Sequence, residues 1–389
     1  MKYLFLFGRN VELSLAEVFS YFEKEGFGVN LEGIQLNGAL LDSKEKLNIK
    51  EMIDQLGGTV AIGEVLFYGD LDKVAKKVGE TPIYSGTSNK PSYSVFNFAD
   101  ENASNVILSG IKNNLKKEKL KTKYVPLKGS ISMQVGETIF GSPSQIKKLD
   151  ERYFLFKKES LYFFGKLSEV FDSKESERRD MGKPARRESL AISPRLAKIL
   201  INLSSVKENG TLFDPFCGIG VILQEALLNK INVLGVDLNE EAIKDCKKNL
   251  DWLRQEYDIK SKSQVINNDS GKIILKQKIN GVATEPSLGK LLRQIPKKED
   301  ALKMISDFEN LIVYVLRNVR KYLAPNSKIT FTSPFIRVAK KRIACNIDDI
   351  CSRTGLKKCK LKNYEVTFPI QEFREAQIVG REIYVLTVN

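Results

Sequence analysis

The alternation of apolar and polar positions in KYLFLFG at residues 2–8 predicts a strand, and the spacing changes at once to a helical one. In ELSLAEVFSYFEKEG, Leu13, Ala16, Phe19 and Tyr21/Phe22 fall on one face, and Gly26 marks the end. A strand-like stretch at Gly33–Leu41, a helix near Asn48–Leu56 and a strand at Thr59–Phe67 follow, with Gly57 and Gly58 breaking the chain between the last two. Beyond them the pattern predicts a strand at Tyr93–Phe98 and a helix at Ala103–Lys117. Further strands are expected around Ser130–Val135, Thr138–Gly141 and Glu159–Phe164, the last two flanking a short basic turn at Lys147, Lys148 and Arg152. From Gly165 to Arg187 the chain is charged and poor in apolar residues, the composition of an exposed connector. After it, Ser193-Pro194 opens an amphipathic helix to Leu203. Strands then alternate with helices: Thr211–Phe213, Val233–Val236, Val265–Asn267, Gly281–Thr284, Ile329–Thr332, Lys360–Pro369 and Arg381–Val388. The N-terminal regions read as α+β, and the C-terminal half as α/β with a mostly parallel sheet covered on both faces.

One unit of that alternation carries chemistry. In TLFDPFCGIGVILQEALLNKINVLGVD, a strand meets a glycine loop, a helix follows, and a second strand ends in Asp237. This is the unit that holds an adenosine-containing cofactor. Gly218 and Gly220 allow a sharp turn and close approach of backbone to ligand. A dinucleotide site wants a third glycine three residues later, where this chain has Leu223. The loop also starts with Asp214, which repels a diphosphate and welcomes a sulfonium. These two features favour S-adenosylmethionine over NAD. A carboxylate at Asp237 can accept both ribose hydroxyls.

Composition narrows the chemistry further. The chain has 389 residues, 42% hydrophobic and 28% charged, enough for two or three domains with sizeable cores. No apolar stretch approaches a membrane span. The run in MKYLFLFGRN meets Arg9, Asn10 and Glu12 without a cleavage site, so it reads as a strand and a cytoplasmic protein is expected. Sixty-two basic residues against 48 acidic ones give a net charge of +14, which suits a polyanionic partner or a merely solvated surface. Cys217, Cys246, Cys345, Cys351 and Cys359 match no common zinc spacing and are expected as reduced core thiols, so no metal site is expected. There is no histidine, which excludes imidazole acid–base chemistry and histidine-based triads. Methyl transfer from a sulfonium survives that exclusion, because it is chiefly a matter of aligning an in-line displacement.

Four pieces in order, LFLFGRNVELSLAEV, LGGTVAIGEV (Leu56–Val65), RRDMGKPARRESLAISPRLAKILINL and DPFCGIG, resemble the THUMP-containing tRNA guanosine-10 N2-methyltransferases of archaea and eukaryotes. The resemblance implies a ferredoxin-like α+β unit at 1–80, a THUMP-like RNA-binding domain at 81–166, a basic linker at 167–190 and a Rossmann-fold S-adenosylmethionine-dependent methyltransferase domain at 191–389. By position, Asp214, Phe216, Gly218 and Gly220 match the cofactor loop, and Asp237 with Leu238 the ribose-binding corner. Asp269 with Ser270 matches the adenine-binding turn. Ser193 and Pro194 match the element closing over the methionine moiety. Read from chemistry alone, Asp269 could equally be a strand-end turn residue and Ser193 a helix N-cap.

The departure sits at the catalytic motif, Asp-Pro-Pro-Tyr in the family and Glu285-Pro286-Ser287-Leu288 here. An amine on an aromatic base is a poor nucleophile because its lone pair is delocalised. A carboxylate and a nearby carbonyl that accept its hydrogens hold that lone pair on the methyl–sulfur axis. Glu285 keeps the carboxylate and lengthens it by one methylene, Pro286 stays rigid, Ser287 replaces a proline, and Leu288 supplies no ring for stacking. Three outcomes remain open: guanine N2 methylation, a re-targeted RNA nucleophile, or a tRNA-binding homologue that transfers nothing. For RNA, the candidates are Lys116, Lys117 and Lys119 at a helix end, Arg178, Arg179, Lys183, Arg186 and Arg187 in the connector, and Lys290 and Arg293 past the Glu285 loop. The resemblance also leaves room for a small activating subunit.

Overall fold

The computed structural model describes residues 1–126, 130–132, 137–139, 142–186 and 192–388. They form two compact units, the first from residues 1–14 and 27–175, the second from 15–26 and 176–389.

In the first unit, β1 (Lys2–Phe7) is the strand expected; α1 (Val11–Glu25) begins there, but from Leu15 to its end at Gly26, in the left-handed region, it counts with the second unit. The single stretch expected at 33–41 is a hairpin, β2 (Val29–Gln35) and β3 (Gly38–Ser43), turned at Leu36 with φ of 54°. Helix α2 (Ile49–Gln55) is capped by Asn48 and leads into β4 (Thr59–Gly69). Helix α3 (Leu71–Glu80) was not foreseen. Asp70 caps its first turn, and only Val74 and Val78 bury a stripe too narrow to stand out among lysines. Then come β5 (Ser92–Phe98), α4 (Glu101–Lys117), β6 (Lys123–Tyr124), β7 (Ser130–Ser132), β8 (Glu137–Ile139) and α5 (Pro143–Lys147). The rest of the two strands expected at 130–135 and 138–141 lies outside the described residues.

Two readings of this unit need correction. Arg152, expected in a basic turn, belongs to β9 (Glu151–Lys158), whose Tyr153, Phe154, Leu155 and Phe156 are fully buried. A strand buried on both faces does not alternate, which is why the pattern hid it. Strand β10 (Leu161–Val170) begins after a turn at Glu159 and runs through the supposed start of the connector. Gly165 is no breaker there. A Cβ on it would sit 2.1 Å from the Glu64 carbonyl oxygen, so the close approach of β4 demands glycine. Apart from β7 and β8, which pair with each other, the strands form one sheet in the order β2-β3-β1-β4-β10-β9-β5-β6, antiparallel except where β5 pairs β9 and β6.

The second unit starts in α6 (Ser173–Gly182), a helix where an exposed connector was expected. Its Arg179 reaches α8 (Val221–Leu228) to pair with buried Glu225, a fixation invisible to hydropathy. Helix α7 (Pro194–Leu203) precedes β11 (Thr211–Asp214), and α8 leads to β12 (Asn232–Asp237). Then follow α9 (Glu240–Glu256), β13 (Ser263–Asn267), β14 (Ile279–Thr284), α10 (Lys298–Val319), β15 (Leu323–Val338), β16 (Lys341–Ile343) and α11 (Ile347–Thr354). The chain ends with β17 (Lys357–Lys358), β18 (Ile370–Glu372) and β19 (Val379–Thr387). The strand expected at 360–369 is irregular. Strands β17 and β18 share one edge of β19, and the chain between them leaves that edge.

The sheet runs β13-β12-β11-β14-β15-β19-β17, parallel from β13 to β15 and antiparallel at β19. Helices α10 and α11 bury Phe308, Ile312, Leu316 and Ile350 with Phe213, Val236, Val282 and Phe331 of the sheet. The strand order reverses beside β11. In a parallel sheet of this kind the loops at the carboxyl ends diverge there and leave a crevice. Among the described residues no helix is long and apolar enough to cross a membrane.

Candidate functional site

A cavity of about 740 Å³ lies where those loops diverge, within the usual range for a ligand site. Its wall brings together Asp214, Phe216, Gly218, Asp237, Leu238, Asp269, Ser270, Glu285, Pro286, Ser287 and Lys290 from the expected set. Segments far apart in sequence thus meet at one place, as the α/β reading required.

The glycine loop is built by local bonds. Asp214, at the end of β11, is buried and accepts the Phe216 N–H at 3.1 Å and the Thr284 hydroxyl at 2.5 Å. Burial, with the charges of Asp237 and Glu285 nearby, pushes its carboxyl up to about 7 against the two hydrogen bonds. Gly220 caps α8 with φ of 87°, and a Cβ there would come within 2.6 Å of the Cys246 sulfur. Leu223, occupying the place of a dinucleotide site's third glycine, packs instead against a glycine of the neighbouring strand. A Cβ on Gly235 would lie 2.6 Å from Leu223 Cδ1. The close helix–strand contact is therefore made by a strand glycine rather than a helix glycine.

Asp237 ends β12 and accepts the N–H groups of Gly218 and Asn239, both at 2.9 Å. Each carboxylate oxygen keeps a further lone pair, so two vicinal hydroxyls can still be received. Asp269, after β13, accepts the Gly271 N–H at 2.8 Å and the Tyr314 hydroxyl at 2.9 Å. It is a turn residue and a cavity wall at once. Ser270 donates to the Pro215 carbonyl at 2.6 Å, tying this turn to the glycine loop. Ser193 caps α7 by accepting the Leu196 N–H at 3.3 Å, and Pro194 is the first helical residue. Neither is on the cavity wall, where their neighbour Ile192 stands.

At the other end of the cavity Glu285 follows β14. Its Oε1 accepts Nε–H of Arg381, from β19, at 2.5 Å, while the buried Oε2 accepts no hydrogen bond among the described residues. Burial raises its carboxyl, and Arg381 opposes that shift. Pro286 is buried, Ser287 exposed, and Leu288 packs partly into the core under α10. Sequence reasoning missed Arg381, Thr284 and Tyr314. Thr284 adjoins the Glu285 motif and could have been found as a hydroxyl ending a strand, whereas the other two carry no local signal.

The basic residues divide. Lys290 lies on the cavity wall and is exposed, and Arg293 is exposed beyond it. Lys116, Lys117 and Lys119 are exposed at the end of α4, with Lys117 donating to the Gly79 carbonyl. Arg178 is half-exposed and pairs with Glu256 at 3.1 Å, and Arg186 is exposed. Arg187 lies outside the described residues. Arg179 departs from its expected RNA-binding place: it is buried against Glu225 at 3.2 Å, and Lys183 is buried beside Asp180. Charge alone cannot distinguish an arginine that faces solvent from one that closes a helix–helix contact.

Comparison with known proteins agrees with this architecture. Residues 178–343 match the UPF0020 family, described as an RMKL-like methyltransferase domain, and residues 87–248 match a DNA methylase family. The chain is 36% identical over 99 residues to the tRNA (guanine(10)-N2)-dimethyltransferase of Methanothermobacter thermautotrophicus, covering 25% of this chain and 28% of that protein. It is 33% identical over 82 residues to the Pyrococcus abyssi protein of the same name, covering 21% and 23%. The resemblance to tRNA guanosine-10 N2-methyltransferases read from the motifs is borne out, but not its THUMP part, and the matches span only about a quarter of those relatives' length. Among solved structures, TrmN from Thermus thermophilus superposes with a TM-score of 0.52 at 14% identity over the whole of both chains. A predicted N6-adenine-specific DNA methylase from Listeria monocytogenes gives 0.50 at 10%, covering 98% of this chain and 95% of that one. Both likenesses concern the α/β fold.

Proposed function

For a chain whose residues 178–343 match the UPF0020 methyltransferase family, we propose transfer of methyl groups from S-adenosylmethionine to the exocyclic N2 amine of a guanosine in tRNA. The observation that carries this reading is the Glu285 side chain, held by Arg381 on the wall of a cavity whose other end is lined by three aspartates. A carboxylate at such a wall can accept the N–H of a ligand amine. The acids also fit a cationic donor better than a diphosphate. When bound, S-adenosylmethionine supplies an electrophilic methyl on a positively charged sulfur. Asp237 would receive its ribose hydroxyls, Asp269 and Ser270 would face its adenine, and the Asp214–Gly218 backbone would cradle its amino-acid end. Glu285 holds an N–H of the incoming amine, and the rigid Pro286 fixes the chain that presents it.

The N-terminal division into a ferredoxin-like part at 1–80 and a THUMP-like part at 81–166 belongs to the same proposal. So do tRNA contacts from Lys116, Lys117, Lys119, Lys290 and Arg293. The relatives named for tRNA support this partner, and a cytoplasmic site of action follows from it.

The test is methylation of unmodified tRNA with radiolabelled S-adenosylmethionine, followed by digestion to nucleosides. Label is expected in N2-methylated guanosine and lost in Glu285→Ala. Cofactor binding without label in any nucleoside would replace this reading with that of a silent RNA-binding homologue. Label confined to another nucleoside would mean a re-targeted enzyme.

A further inference from the structure

We infer that Arg381 is a positioning residue for methyl transfer, holding the Glu285 carboxylate at the wall of the cavity from across the sheet. The inference rests on the methyltransferase reading above.

The geometry is specific. Glu285 leaves the carboxyl end of β14, and Arg381 comes from β19, which is separated from β14 by β15. The arginine stands opposite Pro334 in the β15–β19 ladder. The carboxylate's two oxygens have unequal fates. Oε1 takes the Arg381 Nε–H at 2.5 Å, whereas Oε2 is buried and has no hydrogen-bond partner among the described residues. Both side chains line the cavity. A glutamate free to rotate would swing its carboxylate among many positions, and the bond to Arg381 fixes it at one place on the wall. Arg381 itself lines the cavity and is about a quarter exposed on its side chain, so it is close enough to sense the substrate without being sealed in the core.

The charge matters as well as the aim. Burial favours a neutral Glu285, and a protonated carboxyl cannot receive both the amine's hydrogen bond and its proton. Arg381 from β19 is the cation against it, Asp214 at the end of β11 adds a like charge, and Lys290 stands in the loop beyond. In the transfer the amine lone pair forms the nitrogen–carbon bond as the carbon–sulfur bond breaks, and that electron pair stays on sulfur. The proton shed by nitrogen passes to the Glu285 carboxylate and on to water.

The experiment compares the full-length chain with Arg381→Met, Arg381→Lys and Glu285→Asp. In single-turnover transfer to unmodified tRNA, Arg381→Met is expected to slow the step roughly 100-fold, as an ångström-scale misplacement does. Affinity for S-adenosylmethionine, read by calorimetry, should change less than about threefold, because the cofactor end of the site is untouched. Arg381→Lys should recover part of the rate by keeping the charge. Glu285→Asp retracts the carboxylate from Arg381 and should fail like the methionine variant. A second reading needs no turnover: carbon-13 NMR of glutamate-labelled protein should show Glu285 titrating at higher pH in Arg381→Met than in the parent. Full transfer rate in Arg381→Met, or an unmoved Glu285 titration, overturns the inference. If the parent chain itself transfers no methyl group, the function proposed above fails, and the NMR titration still decides whether Arg381 governs Glu285.

Discussion

The two ends of the cavity are built on different length scales. At the cofactor end, Asp214 accepts the N–H of Phe216, Asp237 that of Asn239, and Asp269 that of Gly271. Each is the same turn, a carboxylate bonded to the backbone two residues on, and each is encoded by a few adjacent residues at the end of a strand. At the transfer end, Glu285 depends on Arg381, 96 residues away on an antiparallel strand added to a parallel sheet. The difference teaches that one site can have a locally specified half that recurs wherever the strand–turn pattern recurs, and a half whose aim is set by the sheet edge. On the function proposed above, a distant side chain that holds a longer carboxylate in place would make divergence at the Glu285 motif tolerable.

That contrast can be broken or sharpened by experiment. The largest expected effect concerns Asp214, whose carboxyl sits at about 7 instead of its ordinary 3.8. Below about pH 4 it is protonated in both folded and unfolded chains and contributes no cost. As pH rises from about 4 to about 7 the unfolded chain ionises first, so stability falls by about 4 kcal/mol across that range. Denaturant melts of the parent and Asp214→Asn over the same interval should show a steeper decline in the parent. A parallel decline in both would mean that the loop carries no such burden.

Next in size, Asp237→Ala should weaken S-adenosylmethionine binding about 100-fold, since charge-assisted bonds to two hydroxyls and the Gly218 tether are lost together. Transfer from the saturated complex should survive. A large loss there would erase the separation between the two ends. Gly220→Ala should cost about 2 kcal/mol of stability through its positive φ and the Cys246 sulfur 2.6 Å from a new methyl. Its melting curve measures this, and an unchanged one would mean the loop is more yielding than its geometry. The smallest effect is that of Tyr314→Phe, which removes one donor to Asp269 and should weaken cofactor binding about threefold by calorimetry.

Much of this was legible before the structure. The strand, glycine loop, helix and acid from Thr211 to Asp237 form as read, because turn chemistry and period are local properties. The cavity also gathers Asp269, Glu285 and Lys290, as an α/β alternation implies. The losses have physical causes. Strand β9 is buried on both faces and shows no alternation, and α3 hides a two-valine stripe among lysines. Arg179 looked like an RNA contact because its partner Glu225 is 46 residues away.

The chain's sequence by itself determined the strand–loop–helix units, the acids at their turns and the exclusion of histidine chemistry, since each depends on neighbours within a few residues or on composition alone. Only the tertiary structure decided which arginines are buried inside, which acids line the cavity, and that Arg381 stands beside Glu285. Those outcomes depend on strand order and on an antiparallel edge, and pairing across a sheet leaves no mark on the residues lying between the partners in the chain.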